Sequence, residues 1–187
     1  STLLVARELL GCRLVRLLDG KRLVGVITET EAYLSEADLA CHARSGRTSR
    51  TEVMYGQPGY AYIYFTYGMH WLLNVVTEPA DYPAAVLIRA LEPIHGLDVI
   101  AARRGGQPRR QWTDGPAKLT RAFALDGAQN GLDLCGAQED LYVEAGAPFR
   151  DENVTIGPRV GLNTVPEPWK SLPWRFQVIR FQNGLPG

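Results

Sequence analysis

The chain has 187 residues, which suits one domain spanning residues 1–187 whose core needs no covalent or metal cross-link for stability. Hydrophobic residues make up 45% of it and charged residues 21%, as in ordinary globular proteins, and no apolar run approaches the ~20 residues of a membrane helix. Its three cysteines are far apart and form no Cys-x-x-Cys pair, which argues against a disulfide framework and a zinc site and indicates a reducing, cytoplasmic location.

The charge is balanced overall but unevenly distributed. Twenty basic and twenty acidic side chains give a net charge of zero. Residues 42–50 carry three arginines and no acid, and residues 99–121 carry six basic side chains against one acidic, a local charge of +5. Residues 126–152 carry seven acids against one arginine, a local charge of −6. Solvated faces explain this pattern most simply, although it also permits a surface that binds nucleic acid.

Two helices are predicted in the N-terminal part of the chain. Thr2 is expected to cap a helix over residues 3–10, which Gly11 ends. The spacing from Ser35 to Asp38 matches a capping box and predicts a short helix that reaches His42.

Runs of β-branched and aromatic residues predict the strands. Two of these runs flank Asp19-Gly20, a strong hairpin-turn signal. Two others flank a tight turn at Tyr67-Gly68, which we interpret as the tip of a second hairpin. The predicted strands are residues 13–18, 22–33, 59–66, 71–76, 84–91, 141–143, 154–156 and 176–179.

Two further helices are predicted in the second half. Pro93 occupies a favourable first-turn position for a helix that ends near residue 104, and Gly115-Pro116 opens another that continues to about residue 124. Strands do not alternate regularly with helices in this pattern. We therefore predict an α+β fold, a mostly antiparallel curved sheet with surrounding helices and a protruding β-hairpin, rather than a parallel sheet.

Two glutamates and one arginine stand out in apolar strands. Glu29 and Glu31 are two residues apart, so their side chains are expected to face the same side of the strand. Exposure of both to solvent is the alternative interpretation. Arg89 interrupts an apolar run, where a lone arginine requires a buried anion or a water network. We therefore predict that Glu31 and Arg89 are partners.

Tyrosines are concentrated in one short segment. Five of the eight fall between Tyr55 and Tyr67, and Tyr60, Tyr62 and Tyr64 alternate with a period of two, which places them on one sheet face. Cross-strand packing is the ordinary explanation, and a platform on which a nucleic-acid base stacks is the other. Tyr67 lies in a turn, from which a large side chain is able to project.

The three histidines do not suggest a metal site. His42 fits three roles, as a general base, a stacking partner or a helix-end residue. His70 and His95 share no ligand spacing with it, so we reject a metal cluster and expect no cofactor.

Six sequence blocks identify a family when they are taken together. They are residues 28–33 (TETEAY), 40–42 (ACH), 62–70 (YIYFTYGMH) with Asn74, 87–93 (LIRALEP), 114–119 (DGPAKL) and 158–161 (PRVG). Their order and spacing from residue 3 to about residue 176 resemble the alkyladenine (3-methyladenine) DNA glycosylases. The resemblance implies excision of alkylated purines such as 3-methyladenine from double-stranded DNA, with hypoxanthine and etheno-adenine as further substrates.

The resemblance also implies roles for individual side chains. Glu31 matches the general base that activates water, and Arg89 matches the arginine that positions this water. Tyr33, His42 and Tyr64 match the side chains that sandwich a base rotated out of the duplex. No lysine or N-terminal amine matches a Schiff-base nucleophile, so we expect a monofunctional enzyme without lyase activity.

Further residues of the resemblance concern the DNA itself. Tyr67 matches the tyrosine that intercalates into the duplex, and Asn74 the residue that crowds the exocyclic amine of guanine. Arg47, Arg50 and Lys118 are the candidates for contacts with the DNA backbone. We expect a monomer that binds DNA and no membrane.

The sequence departs from the family pattern at two places. Cys41 stands where a small residue such as alanine or serine is expected, and a thiol beside His42 introduces the possibility of oxidation. The loop Thr48-Ser49-Arg50-Thr51 keeps its arginine but lacks the proline and asparagine expected around it, which leaves the number of phosphate contacts open.

Three alternative functions are weighed against this one. The first is a module that binds bent or damaged DNA without catalysis, which does not need a buried carboxylate. The second is a small-molecule or carbohydrate hydrolase in which Glu29 and Glu31 form the acid–base pair. The third is a protein-interaction scaffold, which leaves the Glu31, Arg89 and tyrosine constellation unexplained.

Overall fold

The computed structural model describes residues 1–136 and 139–179. Within these ranges the chain forms three α-helices and eight β-strands. The helices are α1 Thr2–Glu8, α2 Leu97–Arg103 and α3 Pro116–Phe123. The strands are β1 Arg13–Leu18, β2 Lys21–Leu34, β3 Ala61–Thr66, β4 His70–Val76, β5 Ala84–His95, β6 Leu141–Glu144, β7 Val154–Gly157 and β8 Arg175–Val178. The predicted α+β class is confirmed.

All the strand pairings described are antiparallel, and they join the strands into one sheet. Its main path runs β3-β4-β5-β2-β1-β6, and β8 pairs with both β2 and β7. The long central strands β2 and β5 pair from Val24 and His95 at one end to Leu34 and Ala84 at the other. The β3–β4 hairpin carries the most exposed large apolar side chains of the described residues at its tip, with Tyr67 86% and Met69 67% exposed. The predicted curved sheet with a protruding hairpin is confirmed.

The two faces of the sheet pack against different parts of the chain. Ile63, Val75 and Val86 belong to the main core, which also contains Leu119 and Phe123 of α3. Neighbouring residues on the same strands point to the other face because side chains alternate along a strand. There they form a second, smaller cluster with the loop that follows β2: Cys41, Ala43, Met54, Tyr55, Tyr62, Val76 and Ala85. The aromatic pocket described below opens on this second face.

A β-bulge interrupts the pairing of β2 with β5 beside the site. Glu29 pairs with Ala90 but Thr30 pairs with Ile88, so Arg89 is an extra residue on β5. A bulge bends its strand and changes the direction of a side chain. It directs Arg89 towards Glu29 and Glu31, both of which the guanidinium group contacts.

Two predicted features of the N-terminal part are wrong. Thr2 does not cap α1 but is its first residue, and its hydroxyl donates to Glu78 Oε1 at 2.7 Å. The helix predicted from Ser35 does not form, and only a 3-10 helix, His42–Ser45, follows. The Asp38 carboxylate accepts from Arg159 and from the backbone N–H of Ala40, which fixes a turn instead.

The helix predicted to end near residue 104 is confirmed as α2, but its predicted start at Pro93 is wrong. Strand β5 continues to His95, and α2 begins at Leu97 after Gly96. Pro93 is tolerated because a register shift interrupts the ladder at this point, where its missing N–H leaves no hydrogen bond unmade. The helix predicted at residues 115–124 is confirmed as α3. No helix among residues 1–136 and 139–179 is both long and apolar enough to cross a membrane.

Candidate active site

A cavity of about 300 Å³ opens on the second face of the sheet, between β2, β3, β4, β5 and the segment after β7. Aromatic, apolar and a few polar side chains line it together. They are Tyr33, Ala40, Cys41, His42, Met54, Tyr62, Tyr64, Thr66, Tyr67, Leu72, Asn74, Ala85, Leu87, Arg89, Pro116, Val160, Gly161 and Leu162.

Glu31 is not itself among the lining residues, but it contacts three of them: Tyr33, Arg89 and Val160. Its side chain is fully buried. Oε2 accepts a 2.8 Å hydrogen bond from the Tyr33 hydroxyl and lies 3.3 Å from Arg89 Nη1. Oε1 accepts a 2.6 Å hydrogen bond from the backbone N–H of Val160. The predicted pairing of Glu31 with Arg89 is confirmed, and its alternative, exposure of Glu31 to solvent, is excluded.

The surroundings of Glu31 suit a carboxylate that accepts a proton. An ionised carboxylate offers about four lone-pair positions, and the Tyr33 hydroxyl and the Val160 N–H occupy two of them, which leaves room for a water molecule beside the Arg89 ion pair. Burial raises the pKa of Glu31, while Arg89, the Val160 N–H and the Tyr33 hydroxyl partly oppose this rise. A raised pKa brings the carboxylate closer to the basicity that a general base needs near neutral pH.

Glu29 has different neighbours from Glu31, although both carboxylates contact Arg89. Its Oε1 accepts from Arg89 Nε at 2.9 Å and from Arg175 Nη1 at 3.1 Å. It lines a separate cavity of about 440 Å³ together with Thr28 and Gln177, and it is absent from the aromatic pocket. Two arginines therefore hold Glu29 as a structural anion that orients Arg89.

The aromatic side chains predicted to hold a base meet in the pocket. The rings of His42 and Tyr64 lie 4.4 Å apart, edge to face, and those of Tyr62 and Tyr64 lie 5.4 Å apart. Tyr33 on β2 also lines the cavity. Tyr60 does not belong to this group, because it precedes β3 and is 36% exposed.

His42 is neutral at physiological pH. Burial, followed by the charges of Arg50 and Arg44, lowers the pKa of His42 to about 4. Its Nδ1 shares a 3.0 Å hydrogen bond with the Tyr62 hydroxyl, which fixes the ring against Tyr64. A neutral, fixed imidazole suits a stacking partner better than a general base.

Cys41 fits the pocket wall without becoming reactive. Its side chain is 1% exposed, and burial raises the pKa of the thiol to about 12. Since the thiolate is the form that oxidises readily, Cys41 behaves here as a small apolar residue.

Asn74 is buried on β4 opposite Tyr62 and also lines the pocket. Its side-chain Nδ2 donates to the Tyr62 carbonyl oxygen at 3.1 Å. This bond satisfies a buried backbone acceptor, which is a structural role for the Asn74 amide. It also holds the amide at the pocket wall.

Tyr67 stands at the tip of the β3–β4 hairpin. Its backbone has a φ of 51°, a left-handed conformation that non-glycine residues adopt rarely. Gly68 follows with a φ of 67°, so the two residues form the tight turn predicted from the sequence. The ring is exposed, and Tyr67 is among the residues that line the pocket.

The three candidates for DNA-backbone contacts differ in how their charge is used. Arg47 forms ion pairs with Glu52 at 3.1 Å and with Asp81, so two carboxylates from outside residues 42–50 neutralise it. Arg50 lies 5.2 Å from the centre of the Tyr64 ring and donates to the Phe65 carbonyl oxygen.

Lys118 lies in a basic groove on the other side of the hairpin. It pairs with Asp114 at 2.9 Å and is 42% exposed. The groove of about 750 Å³ contains no acidic side chain among its lining residues. These are Met69, His70, Trp71, Arg104, Ala117, Lys118, Thr120, Arg121 and Leu125.

Sequence reasoning assigned no role to several groups that complete the site. The Val160 N–H reaches Glu31 from 129 residues away, and Arg159 forms a buried ion pair with Asp38. Tyr62 orients His42. The block of residues 158–161 was a signal that this segment matters, but nothing in it shows which group it contacts.

In the part of the chain that the structure describes, no three His, Cys, Asp or Glu side chains are grouped to hold a metal ion.

Comparison with known proteins identifies the family of the chain. The profile of the family described as Methylpurine-DNA glycosylase (MPG) matches residues 1–181. A Carboxydothermus hydrogenoformans protein provisionally named 3-methyladenine DNA glycosylase is 50% identical over 178 residues, 95% of this chain and 90% of the relative. Proteins of the same name from Methanocella arvoryzae and Myxococcus xanthus are 47% and 46% identical over 94% of this chain. The matched segments make up 86% and 84% of those two proteins. The chain therefore belongs to the methylpurine-DNA glycosylase family.

Proposed function

We propose that the chain is a DNA glycosylase of base excision repair that hydrolyses the N-glycosidic bond of damaged purines in duplex DNA. The observation that carries the proposal is the buried Glu31–Arg89 pair at the wall of an aromatic pocket. Family membership and the names of the relatives support 3-methyladenine as a substrate. Hypoxanthine and etheno-adenine are proposed as further substrates because both are flat purines.

A base inside a duplex is out of reach, so the damaged nucleotide must first rotate out of the stack. Unstacking and unpairing cost a few kcal/mol, and insertion of Tyr67 into the gap offsets part of this cost. Tyr33, His42 and Tyr64 then stack against the base, each stack contributing about 1–3 kcal/mol. A cationic base such as 3-methyladenine gains additional attraction from the π faces.

Hydrolysis follows once the base occupies the pocket. Glu31 takes a proton from a water molecule that Arg89 helps to orient, and the water oxygen bonds to the sugar carbon C1′. The electron pair of the breaking glycosidic bond leaves with the purine. The Glu31 carboxylate also stabilises the positive charge that develops on the sugar. A water nucleophile leaves no covalent enzyme–DNA intermediate, so the enzyme is monofunctional, and we propose that it acts as a cytoplasmic monomer.

Two alternative functions explain the site less well. A DNA-binding module without catalysis has no use for a buried carboxylate, which repels the phosphates of its ligand and whose burial is costly. A carbohydrate hydrolase requires two carboxylates that reach one substrate. Glu29 faces another cavity and is held by two arginines, so it is unsuited to that second role.

The decisive experiment incubates the protein with a panel of duplexes. Each carries one 3-methyladenine, hypoxanthine, etheno-adenine or undamaged purine, and released base is detected by chromatography. We expect release of 3-methyladenine by the unmodified protein and almost none by Glu31→Gln, which keeps the shape of the side chain without its basicity. Release by Glu31→Gln within about tenfold of the unmodified rate, equivalent to ~1.4 kcal/mol of barrier, contradicts the role of Glu31. Tight lesion binding without release by the unmodified protein favours the binding module.

A further inference from the structure

A buried ion pair joins the turn after β2 to the segment after β7. Arg159 Nη1 and Nη2 donate to the two carboxylate oxygens of Asp38 at 2.5 and 3.0 Å, and both side chains are fully buried. The same guanidinium group donates to the carbonyl oxygens of Ala32 at 3.0 Å and Trp169 at 3.1 Å. This bidentate pair is one of the most enclosed charged contacts described in the chain.

Several contacts of Arg159 and of its neighbour in the chain reach parts of the candidate active site. Its guanidinium group lies 4.7 Å from the centre of the Tyr33 ring, the ring that also donates to Glu31. The Ala32 carbonyl that it binds lies between Glu31 and Tyr33 in β2. Val160, the next residue in the chain, donates its N–H to Glu31. Arg159 therefore contacts or directly precedes both residues that donate hydrogen bonds to the Glu31 carboxylate.

Stability alone does not explain an ion pair in this position. Removing two charges from water costs several kcal/mol per ion, and well-packed apolar residues of similar volume often stabilise a protein equally or better. A bidentate pair does supply a fixed geometry, since the planar guanidinium group accepts only one orientation of the carboxylate. The pair is placed where geometry determines the chemistry.

We propose that Asp38 and Arg159 are positioning residues that hold Tyr33 and Val160 against Glu31. This inference rests on the proposed glycosylase function, which gives Glu31 its role. Neither residue touches the reacting atoms. Through Arg159, the Tyr33 ring is fixed for stacking and the carboxylate keeps an orientation in which it can also accept a hydrogen bond from water.

A positioning role for Asp38 and Arg159 predicts a change in the pKa of Glu31 when the ion pair is lost, which a purely structural role does not predict. The Val160 N–H and the Tyr33 hydroxyl both lower the pKa of Glu31 against the effect of burial. When the ion pair is lost, these donors move, and the pKa of Glu31 rises further. The other charged groups around Glu31 stay in place: Arg89 on β5, and Glu29 on β2 with its partner Arg175 on β8.

The test uses two variants of the full chain. Arg159→Lys keeps the charge but loses the bidentate pairing and the planar contact with Tyr33. The double variant Asp38→Leu/Arg159→Met removes both charges and is expected to fold, since it leaves no unpaired buried ion. For each, single-turnover release of 3-methyladenine is measured across pH with saturating enzyme. The pKa of Glu31 is measured separately by carboxyl NMR, with its resonance assigned by its absence in Glu31→Gln.

We expect both variants to release base roughly 30- to 100-fold more slowly than the unmodified chain, with lesion affinity changed less than about threefold. We also expect the pKa of Glu31 to be higher in both variants than in the unmodified chain. The matched control is Arg16→Lys, at another buried arginine that bonds to Asp140 far from the pocket. It is expected to lose stability and keep both the rate and the pKa.

The outcomes separate this proposal from the function on which it rests. An unmodified chain that releases no base overturns the glycosylase function, and the NMR titration still decides whether the ion pair governs Glu31. An active unmodified chain with a folded double variant of equal rate and equal Glu31 pKa overturns the positioning role. Equal slowing by Arg16→Lys overturns it as well, because the loss then follows from stability.

Discussion

At the scale of single residues, Glu31 combines two opposing requirements. A dry pocket strengthens every electrostatic contact with the reacting sugar, but it also destabilises the ionised carboxylate. Two hydrogen-bond donors, Tyr33 on β2 and Val160 after β7, and the charge of Arg89 on β5 compensate for part of that penalty. Because the remaining effect is a raised pKa, we expect the titration of Glu31 to influence how both activity and stability depend on pH.

The rate of excision is expected to decline on the acid side at a pH above 4.5, the ordinary glutamate value. Only ionised Glu31 accepts a proton from water, and its pKa is raised, so the rate falls as the pH falls through this raised pKa. Single-turnover release of hypoxanthine, a stable lesion base, checks this from pH 4 to 8. A rate that is constant down to pH 4.5 contradicts the assignment.

The stability of Glu31→Gln relative to the unmodified chain is expected to increase with pH. A carboxyl group whose folded-state pKa is raised stabilises the fold most below its unfolded value, and this contribution is lost as the pH rises through the folded value. Glutamine does not titrate, so the difference in unfolding free energy grows between pH 4.5 and neutrality. Urea unfolding of both proteins at several pH values measures it.

The difference between the two proteins isolates Glu31 from other titrating groups. The lowered pKa of His42 has the opposite effect, since its contribution is lost as the pH falls from 6.5 towards 4. This contribution is present in both proteins and cancels. A difference in stability that is independent of pH contradicts the raised pKa of Glu31.

Asn74 is expected to govern selectivity rather than rate. Asn74→Ser removes volume from the pocket wall, so the variant should release undamaged or 7-methylated guanine while largely keeping hypoxanthine and 3-methyladenine. Steric rejection of this kind contributes about 1–3 kcal/mol, or roughly 10–200-fold in relative rate. Competition assays on duplexes with different lesions measure the ratio. An equal loss on all substrates by a folded variant makes the bond to the Tyr62 carbonyl oxygen the main function of Asn74.

At the scale of elements, the β3–β4 hairpin and the bulge on β5 shape the site in different ways. The hairpin places Tyr62, Tyr64 and Asn74 on one face and Tyr67 at the tip. The bulge turns the Arg89 side chain towards the glutamates of β2. In a regular ladder with this register, the side chain does not point towards them. In the proposed function, the hairpin therefore supplies contacts with the base and DNA, and the bulge places the charge that assists hydrolysis.

Tyr67→Ser is expected to weaken extrusion of the nucleotide more than hydrolysis. Serine is too small to fill the gap left in the duplex, so the extruded state loses stacking energy. A fluorescent base analogue beside the lesion reports the extrusion equilibrium, and single-turnover release reports hydrolysis. His70→Ser, at the start of β4, is the control for a polar change near the tip. Unchanged fluorescence together with unchanged release shows that Tyr67 is an ordinary turn residue.

At the scale of the whole molecule, a neutral chain presents positive charge around the hairpin. Arg50 lies against β3, while the basic groove with Lys118 lies beside the start of β4. Part of the acidic charge lies at the far edge of the sheet, where Glu144 of β6 pairs with Arg22. This separation allows one face to meet the phosphates although the net charge is zero.

DNA binding is therefore expected to weaken with salt despite the neutral net charge. Each lost phosphate contact lowers the slope of log affinity against log salt by roughly one unit. We expect Arg50→Ala and Lys118→Ala to lower the slope. Arg47→Ala is the matched comparison, with a smaller expected effect because Glu52 and Asp81 already neutralise Arg47. A slope near zero for the unmodified chain refutes a DNA-binding basic face.

Much of the fold and the site was predictable wherever local rules are strong. Asp19-Gly20 and Tyr67-Gly68 marked their turns because few residues adopt left-handed backbone conformations, and the two hairpins formed around them. The pairing of Glu31 with Arg89 was predictable because isolated charges in apolar strands must find each other. Alternation placed Tyr62 and Tyr64 on one face.

The tertiary structure decided what those rules leave open. Pro93 stayed in a strand because pairing with β2 outweighed its helix-start preference, and Asp38 bound Arg159 rather than capping a helix. The Val160 N–H reached Glu31 across 129 residues, a contact that no local pattern encodes. The sequence by itself determined which groups are costly to bury, because that follows from their chemistry. Only the folded chain decided which partners meet them, because partners distant in sequence are brought together by packing.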